Sequence, residues 1–133
     1  MKQEGIKMSG LIMVAHGSKK DISNDEFRDL VDEIKTKNED FKEIDTAFLE
    51  FASPTIHSAV QSQVQKKINK IYFYPYFLNS GKHVSVDLPH IIDSLEKQYS
   101  SVDFVLLTHF GKSNKISDII LNDLRDSIIK GKK

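Results

Sequence analysis

The sequence predicts an α/β fold in which a four-stranded, mostly parallel sheet has helices on both faces. Short apolar runs alternate with amphipathic stretches along the chain, which is the pattern of successive strand–helix units. A length of 133 residues fits one domain with a single core. We therefore expect residues 1–133 to form one domain, with residues 1–10 as a flexible N-terminal extension.

The first strand–helix unit begins at an apolar run. Residues 11–15 are predicted to form a buried strand, and residues 23–26 are a polar lead-in to the first helix. Apolar residues then recur at helical spacing, which indicates one buried helix face. These positions are Phe27, Leu30, Val31 and Ile34.

The second unit pairs a strand over residues 44–51 with a helix that begins near Pro54. Proline is tolerated in the first turn of a helix because its missing N–H has no partner there. Ser53 is the expected cap of this helix. Its inward positions are predicted to be Ile56, Val60 and Val64.

Two further units complete the predicted sheet. The aromatic run 71–78 is the third strand, and Pro75 predicts a bulge or an early end of its pairing because proline cannot donate to the ladder. Asp87 is expected to cap a third helix that carries Ile91, Ile92 and Leu95. Residues 102–107 then form the fourth strand and residues 116–129 the last helix.

Composition excludes several classes of protein. The chain has 19 basic and 19 acidic side chains, so no overall field favours nucleic acid or an anionic membrane. It has no cysteine, which excludes disulfides, thiolate zinc sites and cysteine-held iron–sulfur clusters within this chain. The apolar run from Leu11 ends at His16, which makes it too short to span a membrane or to act as an export signal. A cytoplasmic location is therefore expected.

Three candidate metal ligands follow three predicted strands: His16, Glu50 and His83. In an open α/β sheet, ligands bind outside the carboxyl ends of the strands, so these side chains can meet in one cleft. Imidazole and carboxylate together suit iron, cobalt, nickel and zinc, and three protein ligands leave positions open for chemistry. The sequence therefore predicts a site for a metal reaction at this edge of the sheet.

Each of the first two candidates also has another interpretation. His16 can be a simple polar strand end, or the catalytic histidine of a histidine phosphatase, but Ala15 stands where such enzymes need arginine. Glu50 can be an exposed glutamate paired with a lysine. The apolar neighbours Leu49 and Phe51 favour a functional role, because an unpaired carboxylate is costly to bury.

The third candidate lies in a loop in which Gly81 is expected to make the turn and Lys82 to face an anionic ligand. A rival site joins His83, Asp87 and His90, which would share one face of a continuous helix. Pro89 argues against that continuity. Of the remaining histidines, His57 is expected on a surface helix and His109 at the end of the fourth strand, both as ordinary polar residues.

Three ordered motifs resemble those of the small class II tetrapyrrole chelatases, the short sirohydrochlorin cobaltochelatases and ferrochelatases. They are residues 15–18 with downstream Asn24 and Phe27, residues 48–56, and residues 81–89. The resemblance spans roughly residues 11–124. It implies a chelatase-like three-layer sandwich, insertion of a divalent metal into sirohydrochlorin in cobalamin or sirohaem biosynthesis, and a homodimer that replaces the two fused halves of longer relatives.

The resemblance also implies roles for individual residues. His16 and His83 match the metal-binding and proton-accepting histidines, and Glu50 matches the acidic residue that faces them. Neutral imidazoles suit insertion, because two pyrrole N–H protons must leave while a partly dehydrated cation is delivered. The carboxylate-rimmed macrocycle would be bound by five further residues. These are Ser18, Lys19, Ser80, Gly81 and Lys82.

The chain departs from the family pattern at residues 108–112, where relatives tend to have proline and a small residue before glycine. It lacks the histidine-rich insertion of nickel-inserting relatives, which leaves Co²⁺, preferred here, or Fe²⁺ as the metal. No further cofactor, no nucleic acid and no membrane partner is expected. Two alternatives stay open: a non-catalytic carrier of metal or tetrapyrrole, and a subunit that only dimerises with a catalytic homologue.

Overall fold

The computed structural model describes residues 6–131, in which strands and helices alternate. The strands are β1 (Gly10–Ala15), β2 (Glu43–Phe48), β3 (Lys70–Pro75) and β4 (Asp103–Leu106). The helices are α1 (Asp21–Lys37), α2 (Ile56–Gln65), α3 (Leu88–Gln98) and α4 (Ile116–Gly131). A π-helical turn, His83–Asp87, precedes α3, and a 3₁₀ turn, Phe110–Lys112, precedes α4.

The sheet has the order β2-β1-β3-β4, and its three strand pairs are all parallel. Side chains of β1 alternate between its faces, as the two-residue period of a strand requires. Ile12 and Val14 pack with α2 and α3, whereas Leu11 and Met13 pack with α1 on the opposite face. The predicted α/β class with helices on both faces is therefore confirmed.

Two strands end earlier than the sequence predicts. β2 ends at Phe48, so residues 49–51 belong to the following loop. β3 ends at Pro75, where the early end of pairing was expected because proline has no N–H for the ladder. As a result, the candidate ligands lie in the loops beyond the strand ends.

Two helix starts also differ from prediction. α1 begins at Asp21, ahead of residues 23–26, so the polar segment forms its first turns. α2 is capped by Thr55, whose side chain accepts a hydrogen bond from the Ser58 N–H at 3.1 Å, and Ser53 is not the cap. The bond to Ser58 satisfies one of the N–H groups that a helix start leaves free.

The α-helix predicted to start at Asp87 begins at Leu88, but the expectations that Asp87 caps it and that His83 lies in a loop before it were wrong. Helical backbone runs from His83 into α3, and the side chain of Asp87 makes no cap hydrogen bond. The Leu88 N–H bonds to the carbonyl of His83, five residues back. This wider turn shifts the hydrogen-bond register just before Pro89. Because Pro89 has no N–H that needs a partner, the helix can continue through it.

The N-terminal boundary is also corrected in part. Gly10 is the first residue of β1 and Ser9 is buried, so the extension predicted over residues 1–10 is too long at its C-terminal end. The first five residues of that extension lie outside the described residues. None of the helices in the described part of the chain is long and apolar enough to cross a membrane.

Candidate active site

The loops that follow β1 and β2 stay joined beyond the strands. The Leu49 N–H donates to the Ala15 carbonyl at 3.0 Å, and the Glu50 N–H donates to the His16 carbonyl at 2.9 Å. Gly17 permits this approach: its φ is 95°, and a Cβ there would overlap the carbonyl oxygen of Glu50. The backbone therefore places His16 and Glu50 side by side.

A buried amide fixes the loop after His16. The side chain of Asn24, only 3% exposed, accepts a hydrogen bond from the Ser18 N–H at 2.9 Å and donates to the Ser18 carbonyl at 2.8 Å. Asn24 lies in the first turn of α1, so these bonds tie the loop to the helix. Buried polar groups that are fully paired in this way rigidify their surroundings.

The hydrogen bonds of His16 define its tautomer. Its Nδ1 lies 2.9 Å from the Gly17 carbonyl oxygen, which can only accept, so Nδ1 carries the proton. In the neutral ring the Nε2 lone pair is then free to bind a metal or take a proton. Nε2 lies 3.3 Å from Oε2 of Glu50, and both side chains are partly exposed, at 39% and 48%.

The π-helical turn brings His83 to the same place. The rings of His16 and His83 are 4.4 Å apart between centroids, and the ring of Phe77 stacks on His83 at 6.4 Å. The Nδ1 of His83 donates to Oδ2 of Asp87 at 2.8 Å, which leaves Nε2 as the free nitrogen here as well. A carboxylate behind a histidine is a common way to orient a ring that binds metal.

A cavity of about 290 Å³ lies beside this cluster. Its lining consists of Leu49, Glu50, His83, Asp87, His90 and Ile91. The rival set His83, Asp87 and His90 thus shares this cavity with Glu50, because the helix is continuous after all. Within residues 6–131, no three His, Cys, Asp or Glu side chains form a group already spaced to hold a metal ion.

The predicted substrate-binding residues surround the cluster in different ways. The Ser18 hydroxyl accepts a hydrogen bond from the Lys20 N–H at 3.0 Å and keeps its own proton to donate. The Lys19 ammonium lies 5.3 Å from the centre of the Phe51 ring. Ser80, Gly81 and Lys82 are exposed. Gly81 has no positive φ, and no atom lies within 4 Å of the place that a Cβ would occupy. The turn therefore does not require glycine, contrary to the prediction.

The two histidines expected to be ordinary polar residues lie elsewhere. His57 is exposed in the first turn of α2, and His109 is buried, at 7% exposed, between β4 and the 3₁₀ turn. Neither lines the cavity beside His83.

Two functional features were missed by the sequence. Asp87 was expected to cap a helix but holds His83, a pairing that the sequence suggested only through the rival set of His83, Asp87 and His90. Phe51 adopts a left-handed backbone, φ 65°, and is 57% exposed, with its ring edge-on to the His16 ring at 6.2 Å between centroids. A left-handed phenylalanine is strained, and no local sequence signal indicates it.

Comparisons with known proteins agree with this architecture. A sequence profile of the CbiX family matches residues 10–127. The chloroplastic sirohydrochlorin ferrochelatase of Arabidopsis thaliana is 28% identical over 111 residues, which cover 84% of this chain and 49% of that protein. A sirohydrochlorin cobaltochelatase of Saccharolobus islandicus is 28% identical over 130 residues, covering 92% of this chain and 98% of the relative.

A crystal structure of a CbiX protein from Marinobacter aquaeolei has the same fold, with a TM-score of 0.81 at 23% identity over 92% of this chain and 98% of that one. The chain spans about half the length of the first curated relatives that it matches. The profile match covers nearly all of the described sheet and helices, and it agrees with the resemblance seen in the three motifs. The chain therefore belongs to the CbiX family.

Proposed function

We propose that this protein is a sirohydrochlorin chelatase, which inserts a divalent metal ion into the macrocycle. The observation that carries the proposal is the meeting of His16, Glu50 and His83 at one edge of the sheet. One relative that is matched over nearly its full length and one that is matched over about half of its length are both named sirohydrochlorin chelatases. These names support metal insertion as the reaction of this chain.

The two imidazoles match the proton balance of the reaction. Insertion of a divalent cation displaces two pyrrole N–H protons, and each histidine presents one Nε2 because its Nδ1 proton is engaged. Once His16 has taken up a proton, Glu50 at 3.3 Å stabilises the imidazolium as an ion pair. We assign the same three side chains to delivery of the metal, which is a substrate of the reaction.

The surroundings of the cluster suit a flat, anionic macrocycle. Lys19 and Lys82 are exposed cations in the segments that follow β1 and β3, where they attract peripheral carboxylates. Phe51 and Phe77 flank the two histidine rings and offer apolar surface. Ser18, Ser80 and Gly81 stay as proposed substrate contacts through their polar groups.

Co²⁺ is the proposed metal, with Fe²⁺ as the alternative. The full-length relative bears a cobaltochelatase name and the chloroplastic one a ferrochelatase name. Imidazole and carboxylate ligands bind both ions, so the choice follows the relative of similar length. A cytoplasmic homodimer without nucleic-acid or membrane partners, and without a further cofactor, stays part of the proposal.

The experiment is a turnover assay. Sirohydrochlorin is mixed with Co²⁺ or Fe²⁺ and a small amount of protein, and metal insertion is followed by the change in absorption. We expect many product molecules per chain, with the activity abolished in His16→Ala and His83→Ala. His57→Ala is the matched control, because His57 is an exposed histidine outside the site, and it should keep full activity.

The alternative function is a carrier that binds metal or tetrapyrrole without inserting one into the other. The same ligands would serve it, and the partly exposed histidine pair is open to exchange. A carrier would give product or complex only up to one equivalent per chain. That stoichiometry in the assay would replace the chelatase proposal, whereas activity restored only by a catalytic homologue would indicate an accessory subunit.

A further inference from the structure

The cavity beside the cluster contains a histidine that the proposed reaction does not use. His90 lies in the first turn of α3, is exposed, and lines this cavity together with Glu50, His83 and Asp87. Asp87 and His90 are three positions apart on continuous helical backbone, so they share a face with about 5–6 Å between their Cβ atoms. A third imidazole therefore stands at the solvent-exposed side of the cavity.

His90 differs from the other two histidines of the site because its ring is not held. Nδ1 of His16 is bonded to the Gly17 carbonyl, and Nδ1 of His83 is bonded to Asp87. The described part of the chain gives the His90 side chain no hydrogen bond and no ion pair. Its ring is free to turn, and either nitrogen of the neutral ring can bind a cation, because no partner fixes the tautomer.

Two carboxylates add oxygen ligands to the same cavity. Oδ2 of Asp87 accepts the hydrogen bond of His83, which leaves the second oxygen of this carboxylate available. Glu50 likewise presents one oxygen to His16 and keeps another. Imidazole with carboxylate oxygen is a ligand set that suits divalent cobalt or iron. Two acidic groups also make the cavity more attractive to cations than to anions.

The size of the cavity fits a hydrated ion better than a macrocycle. Its volume is about 290 Å³. Because a water molecule takes about 30 Å³, a divalent ion with about six waters has room there. Sites that enclose a drug-sized molecule start at about 300 Å³ and extend to about 1,000 Å³. The cavity is therefore of the size expected for the metal substrate with its water shell.

The surfaces assigned to the two substrates are separate. None of the side chains proposed to contact the macrocycle lines this cavity. Lys19 and Phe51 lie together beside His16, which does not line it either. Glu50 and His83 are thus the two ligands that border both the cavity and the His16 side of the cluster.

We propose that His90 is the first ligand of the incoming divalent metal ion, and that this cavity leads the ion to His83 and Glu50. The inference rests on the proposed function, since it names the route of the metal substrate of that reaction. A route must bind an ion strongly enough to admit it and weakly enough to release it. A loose set of donors meets that need, and within residues 6–131 no three His, Cys, Asp or Glu side chains are already spaced to hold a metal ion.

The first test separates the two substrates by steady-state kinetics of Co²⁺ insertion. Removing a group that supports metal binding typically costs about 10- to 100-fold in affinity, and a loose ligand belongs at the low end. His90→Ala should therefore raise KM for Co²⁺ about tenfold, with KM for sirohydrochlorin and kcat at saturating Co²⁺ unchanged. His57→Ala is the matched control, because His57 is an exposed histidine in the first turn of α2 and lies outside the cavity. It should leave both KM values unchanged.

Three kinetic results contradict the inference. An unchanged KM for Co²⁺ in His90→Ala overturns it. A lower kcat with an unchanged KM for Co²⁺ also overturns it and assigns His90 to proton transfer. A parallel rise of both KM values overturns it as well, because the substitution would then act on the general shape of the site.

The second test uses Co²⁺ alone and needs no chelatase activity. The chain has no cysteine, so His90→Cys contains a single thiol. Thiolate is a strong ligand of transition metals, and we expect a sulfur-to-cobalt charge-transfer band when Co²⁺ is added to His90→Cys. The matched variant His57→Cys should show none. The inference is overturned by the absence of the band in His90→Cys, or by an equal band in His57→Cys.

Together the two tests let the metal route and the chelatase fail separately. A band in His90→Cys without turnover by the wild-type chain would support His90 as a metal ligand and remove the insertion reaction. Turnover by the wild-type chain with no band, and with an unchanged KM for Co²⁺ in His90→Ala, would keep the reaction and overturn the route.

Discussion

The two halves of the candidate site are built by different means. The half that holds His16 and Glu50 is held mainly by backbone, through two hydrogen bonds between loops and the positive φ of Gly17, and by the buried side-chain amide of Asn24. The half that holds His83 lies on a partly exposed π-helical turn and depends on one side-chain bond to Asp87. Substitutions of these supporting residues should therefore alter folding in the first half and chemistry in the second half.

The difference follows from where each histidine lies relative to the sheet. His16 comes one residue after β1, an inner strand paired on both sides, so its loop inherits the rigidity of two neighbours. His83 comes eight positions after the end of β3 and precedes α3. A π turn at this point is consistent with function, since such turns are often found at functional sites. In the proposed reaction, a rigid acceptor and a less constrained one would therefore face the same ion.

Gly17→Ala should have the largest effect on the backbone-built half. The substitution puts a side chain at φ 95° and against the carbonyl of Glu50, so it should lower the free energy of unfolding by at least about 2 kcal/mol. Gly81→Ala is the matched control for stability, because the space at Gly81 is open. Denaturant titration measures both. Equal stabilities for the two variants would contradict the role assigned to Gly17.

Asp87→Ala should reduce activity with little loss of stability. The bond to His83 fixes its tautomer, and loss of such a partner typically costs about 10- to 100-fold in activity or metal affinity. Both side chains are about one-third exposed, so the pair adds at most about 1 kcal/mol to stability. Asp93→Ala, which removes a carboxylate paired with Lys97 on the outside of α3, is the control and should be fully active.

The tautomer itself distinguishes positioning from a general structural effect. In the wild-type chain, ¹⁵N NMR should show His83 protonated at Nδ1 and free at Nε2, and Asp87→Ala should give a mixture. Unchanged nitrogen shifts in an inactive variant would mean that Asp87 acts in another way.

The sequence predicted the positions of the site better than its construction. His16, Glu50 and His83 could be placed together because buried parallel strands are continuous apolar runs, and their carboxyl ends share one edge of the sheet. The hydrogen bond between the Glu50 and His16 backbones joins residues 34 positions apart, and no local pattern encodes it. The π turn was missed for a different reason: Pro89 taken locally indicates a break, while the altered hydrogen-bond register tolerates it.

The exposed helix α4 marks another limit. Its apolar spacing predicted a helix from residue 116, and the structure begins it there. The same spacing predicts a buried face, yet Ile120 and Leu124 are about half exposed within the single chain. Periodicity indicates that a helix face is suited to burial but does not say what covers it.

The smallest expected effect concerns strain at Phe51, next to the rigid half of the site. Its φ of 65° costs a side-chain-bearing residue about 1 kcal/mol, which glycine avoids. Phe51→Ala and Phe51→Gly remove the same ring and the same contact with Lys19, so those losses cancel when the two variants are compared. Phe51→Gly should therefore be more stable than Phe51→Ala by about 1 kcal/mol, whereas at an ordinary position glycine is the less stable of the two.

Thermal unfolding of both Phe51 variants measures this difference, and the assay of metal insertion adds a second comparison. If the ring of Phe51 supports the macrocycle, both variants should show the same rise in KM for sirohydrochlorin despite their different stabilities. A glycine variant less stable than the alanine variant would show that the loop relaxes to another backbone. That result would also remove the contrast between a rigid half and an adjustable half, because the loop beside His16 would then be as free to rearrange as the turn that carries His83.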